Sequence, residues 1–192
     1  MRNAKEYYQN SLMHNKPSAL LLKFFQNGYN ESLDGNVAID IGCGTGNDTI
    51  FLLEKGFKVT AVDSDNQVKE IVENRCGNNE SLDIVIGDFS KVKLPEADLI
   101  FANFSLFFVK ENFDVFMKNL LEKVNKNGFF VGNFLGKEDD WIKSKTTVEK
   151  EELLSFFKDF KIHYFSEEKY FKDGLTKKNK FWHVYTVIAQ KK

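Results

Sequence analysis

The sequence predicts an α/β fold: a mostly parallel sheet of seven strands, with one antiparallel edge strand and helices on both faces. Apolar runs of strand length alternate with helical patterns over residues 37–157, and this alternation is typical of a parallel sheet. Two strand-like runs then follow one another without a helix, near Lys161–Phe165 and Trp182–Ala189, which indicates a closing hairpin. A chain of 192 residues is long enough for one full-sized core. We expect a single domain over residues 36–192, with a helical lead-in at residues 1–35.

The lead-in contains one clear helical pattern. Ser18 is a suitable N-cap for a helix whose apolar residues run from Leu20 to Phe25, and Gly28 is placed to end it. The segment before Ser18 is polar with aromatic members, and it is consistent with a helix on the surface.

The pattern of residues 37–65 predicts a Rossmann-like βαβ unit. A strand at Val37–Asp40 leads into a glycine-rich turn, a helical pattern follows at Thr49–Lys55, and a second strand, Val59–Val62, ends at Asp63. This order of strand, turn, helix, strand and acidic residue is typical of nucleoside binding.

The glycine spacing narrows the class of nucleoside. The turn has the pattern GxGxG, formed by Gly42, Gly44 and Gly46, and Asn47 stands where a dinucleotide GxGxxG motif has its last glycine. An NAD-dependent oxidoreductase is therefore the least favoured interpretation. Asp40 at the end of the strand would repel a pyrophosphate but suits a cationic amine or sulfonium.

The remaining elements continue the alternation. Helices are predicted at Val68–Cys76, from Phe113 to Val124 with Asn127-Gly128 ending it, and at Lys150–Phe157. Strands are predicted at Leu82–Ile86, Ala97–Phe101 and Phe129–Phe134, and a basic loop is expected over Lys169–Lys180.

The acidic residue and the glycine turn together resemble motif I of the class I S-adenosylmethionine (SAM) methyltransferases. Asp63 matches the acidic residue of that family that holds the ribose hydroxyls, and Asp88, after the third strand, matches the position that accepts from the adenine amino group. The resemblance implies SAM as cofactor and S-adenosylhomocysteine (SAH) as product. It implies a cofactor site formed by Asp40, Gly42, Cys43, Gly44, Thr45, Gly46, Asp63, Ser64, Gly87, Asp88, Phe89, Asn103 and Phe104.

Several of these positions also have ordinary structural roles. Thr45 and Asn47 can cap the following helix, and Ser64 or Asp65 can cap the helix that starts before Val68. Cys43 is expected to be a small spacer in the turn and not a nucleophile.

The acceptor is less well specified. Asn103-Phe104-Ser105 follows the fourth strand, where methyltransferases of nucleic-acid bases and protein amides carry an NPPY-like motif, and no proline is present here. The segments Phe134–Trp141 and Phe181–Val184 are similar to those of small tellurite-resistance-like (TehB-like) bacterial methyltransferases. We therefore expect a SAM-dependent methyltransferase of EC 2.1.1 type that acts on a small molecule such as a thiol or a metalloid oxyanion. Methylation of RNA or protein, or a non-catalytic SAM-binding module, remains the alternative.

The residues around the acceptor are a hypothesis. In small methyltransferases a segment placed like that before Ser18 often forms a lid over the cofactor, which places Tyr7, Tyr8 and His14 near the acceptor. Trp141 and His183 are the other candidates, although each is equally consistent with a structural role. No residue is a convincing general base, so no catalytic residue is assigned.

Composition sets the remaining expectations. The net charge of −1 does not indicate the basic surface that is typical of a nucleic-acid-binding protein. Cys43 and Cys76 have no metal-ligand spacing, so no metal is expected. The N-terminus has no signal-peptide pattern, and no apolar run is long enough to span a bilayer, which predicts a cytoplasmic protein without membrane contact. Either a monomer or a homodimer is expected.

Overall fold

The computed structural model describes residues 4–174 and 178–192, except for the side chains of residues 4–7 and 10. The α-helices are α1 (Ala4–His14), α2 (Ala19–Gln26), α3 (Asn47–Glu54), α4 (Asn66–Cys76), α5 (Phe113–Glu122) and α6 (Lys150–Phe156). The strands are β1 (Val37–Ile41), β2 (Lys58–Asp63), β3 (Leu82–Ile86), β4 (Ala97–Ala102), β5 (Val124–Leu135), β6 (Phe160–Lys172) and β7 (Lys180–Lys191).

One seven-stranded sheet organises these elements, in the order β3-β2-β1-β4-β5-β7-β6. The first five strands in that order pair in parallel. Strand β7 runs antiparallel to both β5 and β6, so the antiparallel strand lies second from this margin of the sheet. The predicted fold class is confirmed.

Helices cover both faces of the sheet because its central strands are apolar on both sides. Strand β4 is buried at all six positions, as expected for a strand with helices on each face. Leu21 and Phe24 of α2 pack with Phe101 and Phe129 on one face. On the other face, α5 and α6 pack against alternate residues of the same strands.

The lead-in contains two helices. Ser18 caps α2 as predicted, because its side-chain oxygen accepts from the backbone N–H of Leu21. Helix α1 ends at His14. No helix among the described residues is both long and apolar enough to cross a membrane.

The predicted end of α5 is wrong. The helix stops at Glu122, and Val124 already belongs to β5. Asn127 adopts a left-handed φ of +63° inside this strand, where the pairing with β4 shifts register. The Asn-Gly pair therefore marks an irregularity in a strand and not a helix terminus.

The last hairpin is longer than predicted. Strand β6 continues to Lys172 and β7 begins at Lys180, so both ends of the expected basic loop are paired strand and the loop itself is residues 173–179. Part of the remaining loop, residues 175–177, lies outside the described residues. A single 3₁₀ turn at Leu106–Phe108 follows β4.

Candidate functional site

The glycine turn lies between the carboxyl ends of β1 and β2. The backbone N–H groups of Gly42 and Cys43 both donate to the carbonyl of Val62, which fixes the turn against β2. Gly42 has a φ of +74°, and a Cβ there would stand 2.4 Å from the Cβ of Ser105. Only glycine fits this approach of the turn to the exit of β4.

Asp63 at the end of β2 is held by the turn itself. Its Oδ2 accepts from the N–H of Gly44 at 2.9 Å, and its Oδ1 accepts from the N–H of Asp65 at 3.0 Å. One acceptor site on each oxygen remains, which is the arrangement that a ribose diol needs.

Two carboxyl groups lie behind the glycine turn, that of Asp40 buried and that of Asp48 partly buried. Asp40 accepts from the hydroxyl of Thr49 at 2.6 Å, and Asp48 accepts from the N–H of Ser18 at 2.6 Å. Burial and the neighbouring charge of Asp48 raise the pKa of Asp40 to about 8. Burial also raises the pKa of Asp48. A cationic ligand bound nearby would therefore favour the ionised form of both carboxyl groups.

These two carboxyl groups line a cavity of about 180 Å³, which we call the glycine-loop cavity. Gly42, Cys43 and Thr45 form one wall, and Asn103 from the exit of β4 forms another. Cys43 is buried and free, and burial raises the pKa of its thiol, so it is a spacer and not a nucleophile.

A larger cavity of about 630 Å³ follows the exits of β2 and β3 and is lined in part by Ser64, Asp88 and Phe89. The exposed carboxylate of Asp88 accepts from both the N–H and the hydroxyl of Ser90. These bonds and nearby Lys91 lower its pKa. Phe89 is buried against Phe116, so only part of its ring is available to a purine. Gly87 precedes Asp88 and donates from its N–H to the carbonyl of Asp63.

Helix α1 lies against this region. The hydroxyl of Tyr8 donates to Asp65 at 2.7 Å, and the Ser11 and Thr45 hydroxyls are 2.6 Å apart. Arg75 of α4 donates to the carbonyl of Thr45 and to the side chain of Asn47, and it also contacts Asn15. The glycine turn is therefore bracketed by α1 and α4. Gly46, with a φ of +78°, occupies the N-cap of α3, so neither Thr45 nor Asn47 caps that helix.

Helix α4 is capped by Asp65, whose side chain accepts from the N–H of Gln67. Of the two residues considered as caps from the sequence, Asp65 is therefore the cap. The side chain of Ser64 lines the larger cavity instead.

The exit of β4 forms the junction of two cavities. Asn103 lines the glycine-loop cavity and also a second cavity of about 310 Å³, which we call the strand cavity; Ser18 lines both as well. Phe104 follows with a φ of +51° and contributes to the strand cavity. A bulky residue in the left-handed region is strained, and such strain is concentrated at functional sites.

The strand cavity lies on the α2 face of the sheet. Its floor is formed by Asn133 of β5 and Thr186 of β7, which are paired in register and joined by a 2.9 Å hydrogen bond from Asn133 to the Thr186 hydroxyl. Lys23, Tyr164, Glu168 and Tyr170 surround it.

Five residues were proposed for the acceptor, and the four whose side chains the structure describes lie outside these cavities. His14 is exposed at the end of α1, and Tyr8 is bonded to Asp65. Trp141 packs on Phe107 and Trp182. None of the four lines the three cavities above, as far as the described residues show. Tyr7 lies in α1, but its side chain is outside the described residues.

His183 is held inside the sheet margin. It is 3 % exposed, one ring nitrogen accepts from the N–H of Glu138, and the other is 3.0 Å from a Glu167 oxygen. A Cβ at Gly136 would stand 2.3 Å from the ring. These contacts give His183 a packing role.

Trp141 and Trp182 flank a buried ion pair. Lys180 Nζ is 2.6 Å from both carboxylate oxygens of Asp139 and lies over both indole rings. Trp182 in turn packs edge-on against Phe104. Through Trp182, the two indole rings and the ion pair therefore pack against the residue Phe104 that follows β4.

Of the residues that line the strand cavity, sequence reasoning assigned Asn103 and Phe104 to the site and missed the others. Asn133 and Thr186 interrupt apolar strands with polar side chains, and this was the available signal. It also missed Asp48 and Ser11, which reach the glycine-loop cavity only through the folding of α1 and α3.

The comparisons with known proteins agree with this geometry. The family model of a methyltransferase domain matches residues 39–132, which begin within β1, include the glycine turn and end within β5. A probable ribosomal RNA small subunit methyltransferase A of Methanococcoides burtonii is 37% identical over 73 residues, covering 38% of this chain and 27% of that protein. The (S)-coclaurine N-methyltransferase of Thalictrum flavum subsp. glaucum is 28% identical over 123 residues, covering 56% and 34%. The chain thus spans about a third or less of these curated relatives.

Solved structures resemble a larger part of the chain. TehB from Haemophilus influenzae superposes with a TM-score of 0.71 at 18% identity, covering 90% of this chain and 61% of TehB. The N-methyltransferase NodS from Bradyrhizobium japonicum WM9, solved with SAH, gives a TM-score of 0.68 at 10% identity, covering 89% and 85%. At these identities the likeness establishes the fold.

Fold and domain match together indicate the class: residues 39–132 match a methyltransferase domain, and the chain has the fold of solved SAM-dependent methyltransferases. Within that class the chain resembles TehB-like proteins. The residues of the site fit SAM as cofactor, since Asp63 presents free acceptor sites and Asp40 and Asp48 favour a cation.

Proposed function

We propose that the protein transfers the methyl group of SAM to a small-molecule acceptor. The observation that carries this proposal is the junction of the two cavities, which share Ser18 and Asn103. One cavity has the groups that suit the cofactor, and the other opens beside it. At about 310 Å³ the strand cavity is at the small end of ligand pockets, which favours a metabolite over a macromolecule.

The cofactor residues have distinct roles in this proposal. Asp63 accepts from the ribose hydroxyls, and Asp88 accepts from the adenine amino group. Asp40 and Asp48 lie behind the turn and stabilise the positive charge of the methionine part. Asn103 stands at the junction and orients both ligands. SAM, when bound, supplies a carbon already activated by the sulfonium.

The protein contributes mainly position and the exclusion of water. Holding the acceptor and the methyl carbon in line accounts for much of the reduction in the barrier of such reactions. We assign no general base, and the acceptors we propose are a thiol or a metalloid oxyanion, which attack without one once ionised. Helix α1 acts as the lid over the cofactor through Tyr8 and Ser11. We propose that the protein acts as a monomer or a homodimer.

A second candidate is methylation of RNA. The similarity to a ribosomal RNA methyltransferase favours it, although that match covers 73 residues. Incubating the protein with SAM carrying a labelled methyl group, and with separate metabolite, RNA and protein fractions of a cell extract, distinguishes the candidates. We expect the label in the metabolite fraction. Label confined to RNA would replace our proposal with the second candidate, and SAM binding without transfer to any fraction would indicate a non-catalytic module.

A further inference from the structure

The strand cavity has an ordered charge distribution. Lys23, on the last turn of α2, places its ammonium 3.6 Å from the ring centre of Tyr164 on β6. Lys23 forms no ion pair within 4.0 Å with any carboxylate that the structure describes. The ammonium lowers the pKa of the Tyr164 phenol. This end of the cavity is therefore electropositive and also offers a phenolic hydroxyl.

The opposite charge lies further along the same strand. Glu168 follows Tyr164 by four residues and faces the same cavity, so their Cα atoms are separated by about 13 Å of extended strand. An acidic group on a ligand is thus drawn to Lys23 and repelled from Glu168, which gives a bound acid one orientation.

The floor between these ends has unused hydrogen-bonding capacity. Asn133 is 5 % exposed, and its Oδ1 has no hydrogen-bond partner among the described residues. A buried polar group left without a partner costs about 1–3 kcal/mol, so a donor on the ligand body is favoured at this floor.

We propose that the strand cavity binds a small organic acid, with its acidic group at Lys23 and Tyr164 and a hydrogen-bond donor of its body at Asn133. The aromatic rings of Phe104 and Tyr170 line the same cavity and pack against an apolar or planar body. The inference rests on the proposed function and narrows its acceptor: of the two acceptors proposed above, it favours a thiol that carries an organic acid group over a metalloid oxyanion.

The test uses three probes of similar shape and different charge. The SAH-loaded protein is titrated with 4-hydroxybenzoate, 4-hydroxybenzyl alcohol and tyramine, and binding is followed by ligand-observed NMR. We expect the acid to bind about tenfold more tightly than the other two, since a charge-assisted hydrogen bond is about twice as strong as a neutral one.

Variants of Lys23 test whether this residue causes the preference for the acid. Lys23→Gln should remove the preference for the acid and Lys23→Arg should retain it. Lys55→Gln is the matched control, because the Lys55 ammonium also lies near aromatic rings but lines none of the three cavities. Unchanged affinity for SAH shows that each variant is folded.

The outcomes separate the two proposals. SAH binding with no preference for the acid, with no probe bound, or with a preference that survives in Lys23→Gln overturns the organic-acid inference and leaves the proposed function standing. Failure of the native protein to bind SAH overturns the proposed function, and this inference with it.

Discussion

We expect the carboxyl group of Asp40 to make SAM binding depend on pH. Its carboxyl group is buried behind the glycine turn, and burial with the neighbouring Asp48 raises its pKa to about 8. At neutral pH the ligand-free protein therefore holds a proton there. A cationic ligand favours the ionised form and lowers that pKa.

We predict that SAM binding at pH 7 releases a proton into solution. Calorimetric titrations in two buffers of different ionisation enthalpy measure this release, as the difference between the apparent binding enthalpies. Asp40→Asn should abolish the release and weaken SAM binding. Equal apparent enthalpies in both buffers for the native protein would contradict this role for Asp40.

The raised pKa of Asp40 also predicts how the stability of the folded protein depends on pH. A carboxyl whose pKa is higher in the folded state than in the unfolded state binds more protons when folded between the two values. Its contribution to the free energy of unfolding therefore falls as pH rises from about 4 to about 8, and is constant above. Urea unfolding of the native protein and of Asp40→Asn across this range should show a shallower decline in the variant. An equal decline in both would show that Asp40 titrates normally.

At the residue scale the sequence suggests residues for the cofactor side more readily than for the acceptor side. Asp63 and Gly42 belong to a local motif, and their roles follow from spacing along the chain. Lys23, Asn133 and Tyr164 are distant in sequence and meet only because β5, β7 and β6 pair and α2 packs across them. No local pattern encodes that meeting.

Among the elements, α1 has the clearest functional prediction. Its described contacts with the cofactor region include the Tyr8–Asp65 bond and the Ser11–Thr45 contact. Tyr8→Phe should raise the dissociation rate of SAH by about tenfold or more, since a hydrogen bond to a charged group contributes about 1.5–3 kcal/mol. Tyr29→Phe is the control, because Tyr29 packs against Phe129 away from the three cavities. Stopped-flow displacement measures the rate, and identical rates in both variants would exclude α1 as a lid.

The segment after β5 depends on the buried Asp139–Lys180 pair. Lys180→Met leaves Asp139 buried without its cation, which we expect to lower the free energy of unfolding by about 3–5 kcal/mol. Lys69→Met removes an exposed pair with Glu73 and should cost at most about 1 kcal/mol. Chemical denaturation measures both. Equal, small losses would show that the buried pair does not hold this segment.

Element boundaries were predictable where the signal was local. Strand β3 has the predicted bounds, Leu82–Ile86, because an apolar run stands between turn residues. The end of α5 was not predictable, since Asn127-Gly128 is a common helix terminator, and only the pairing of β5 with β4 shows that it lies in a strand. Likewise, the extent of β6 and β7 depends on cross-strand pairing and not on apolar content.

At the scale of the whole molecule, the sheet order brings the site together. Strands β1, β2 and β4 are neighbours, so their carboxyl ends carry the glycine turn, Asp63 and Asn103 to one edge, where ligands of open α/β sheets bind. Strands β5, β7 and β6 extend the same sheet and add the strand cavity beside it. The fold class could be predicted from the alternation of elements, but the adjacency of the two cavities required the structure.

Calorimetric titration of the native protein, Asp63→Asn and Asp83→Asn with SAH tests the central claim most directly. Asp63 lies at the cofactor turn, whereas Asp83 is exposed on β3 and serves as the matched control. We predict micromolar binding by the native protein and the control, and a loss of about tenfold or more in Asp63→Asn, because the ribose loses a charged acceptor. Absence of SAH binding in the native protein, or equal affinity in all three proteins, would contradict the assignment of this edge of the sheet as the cofactor site.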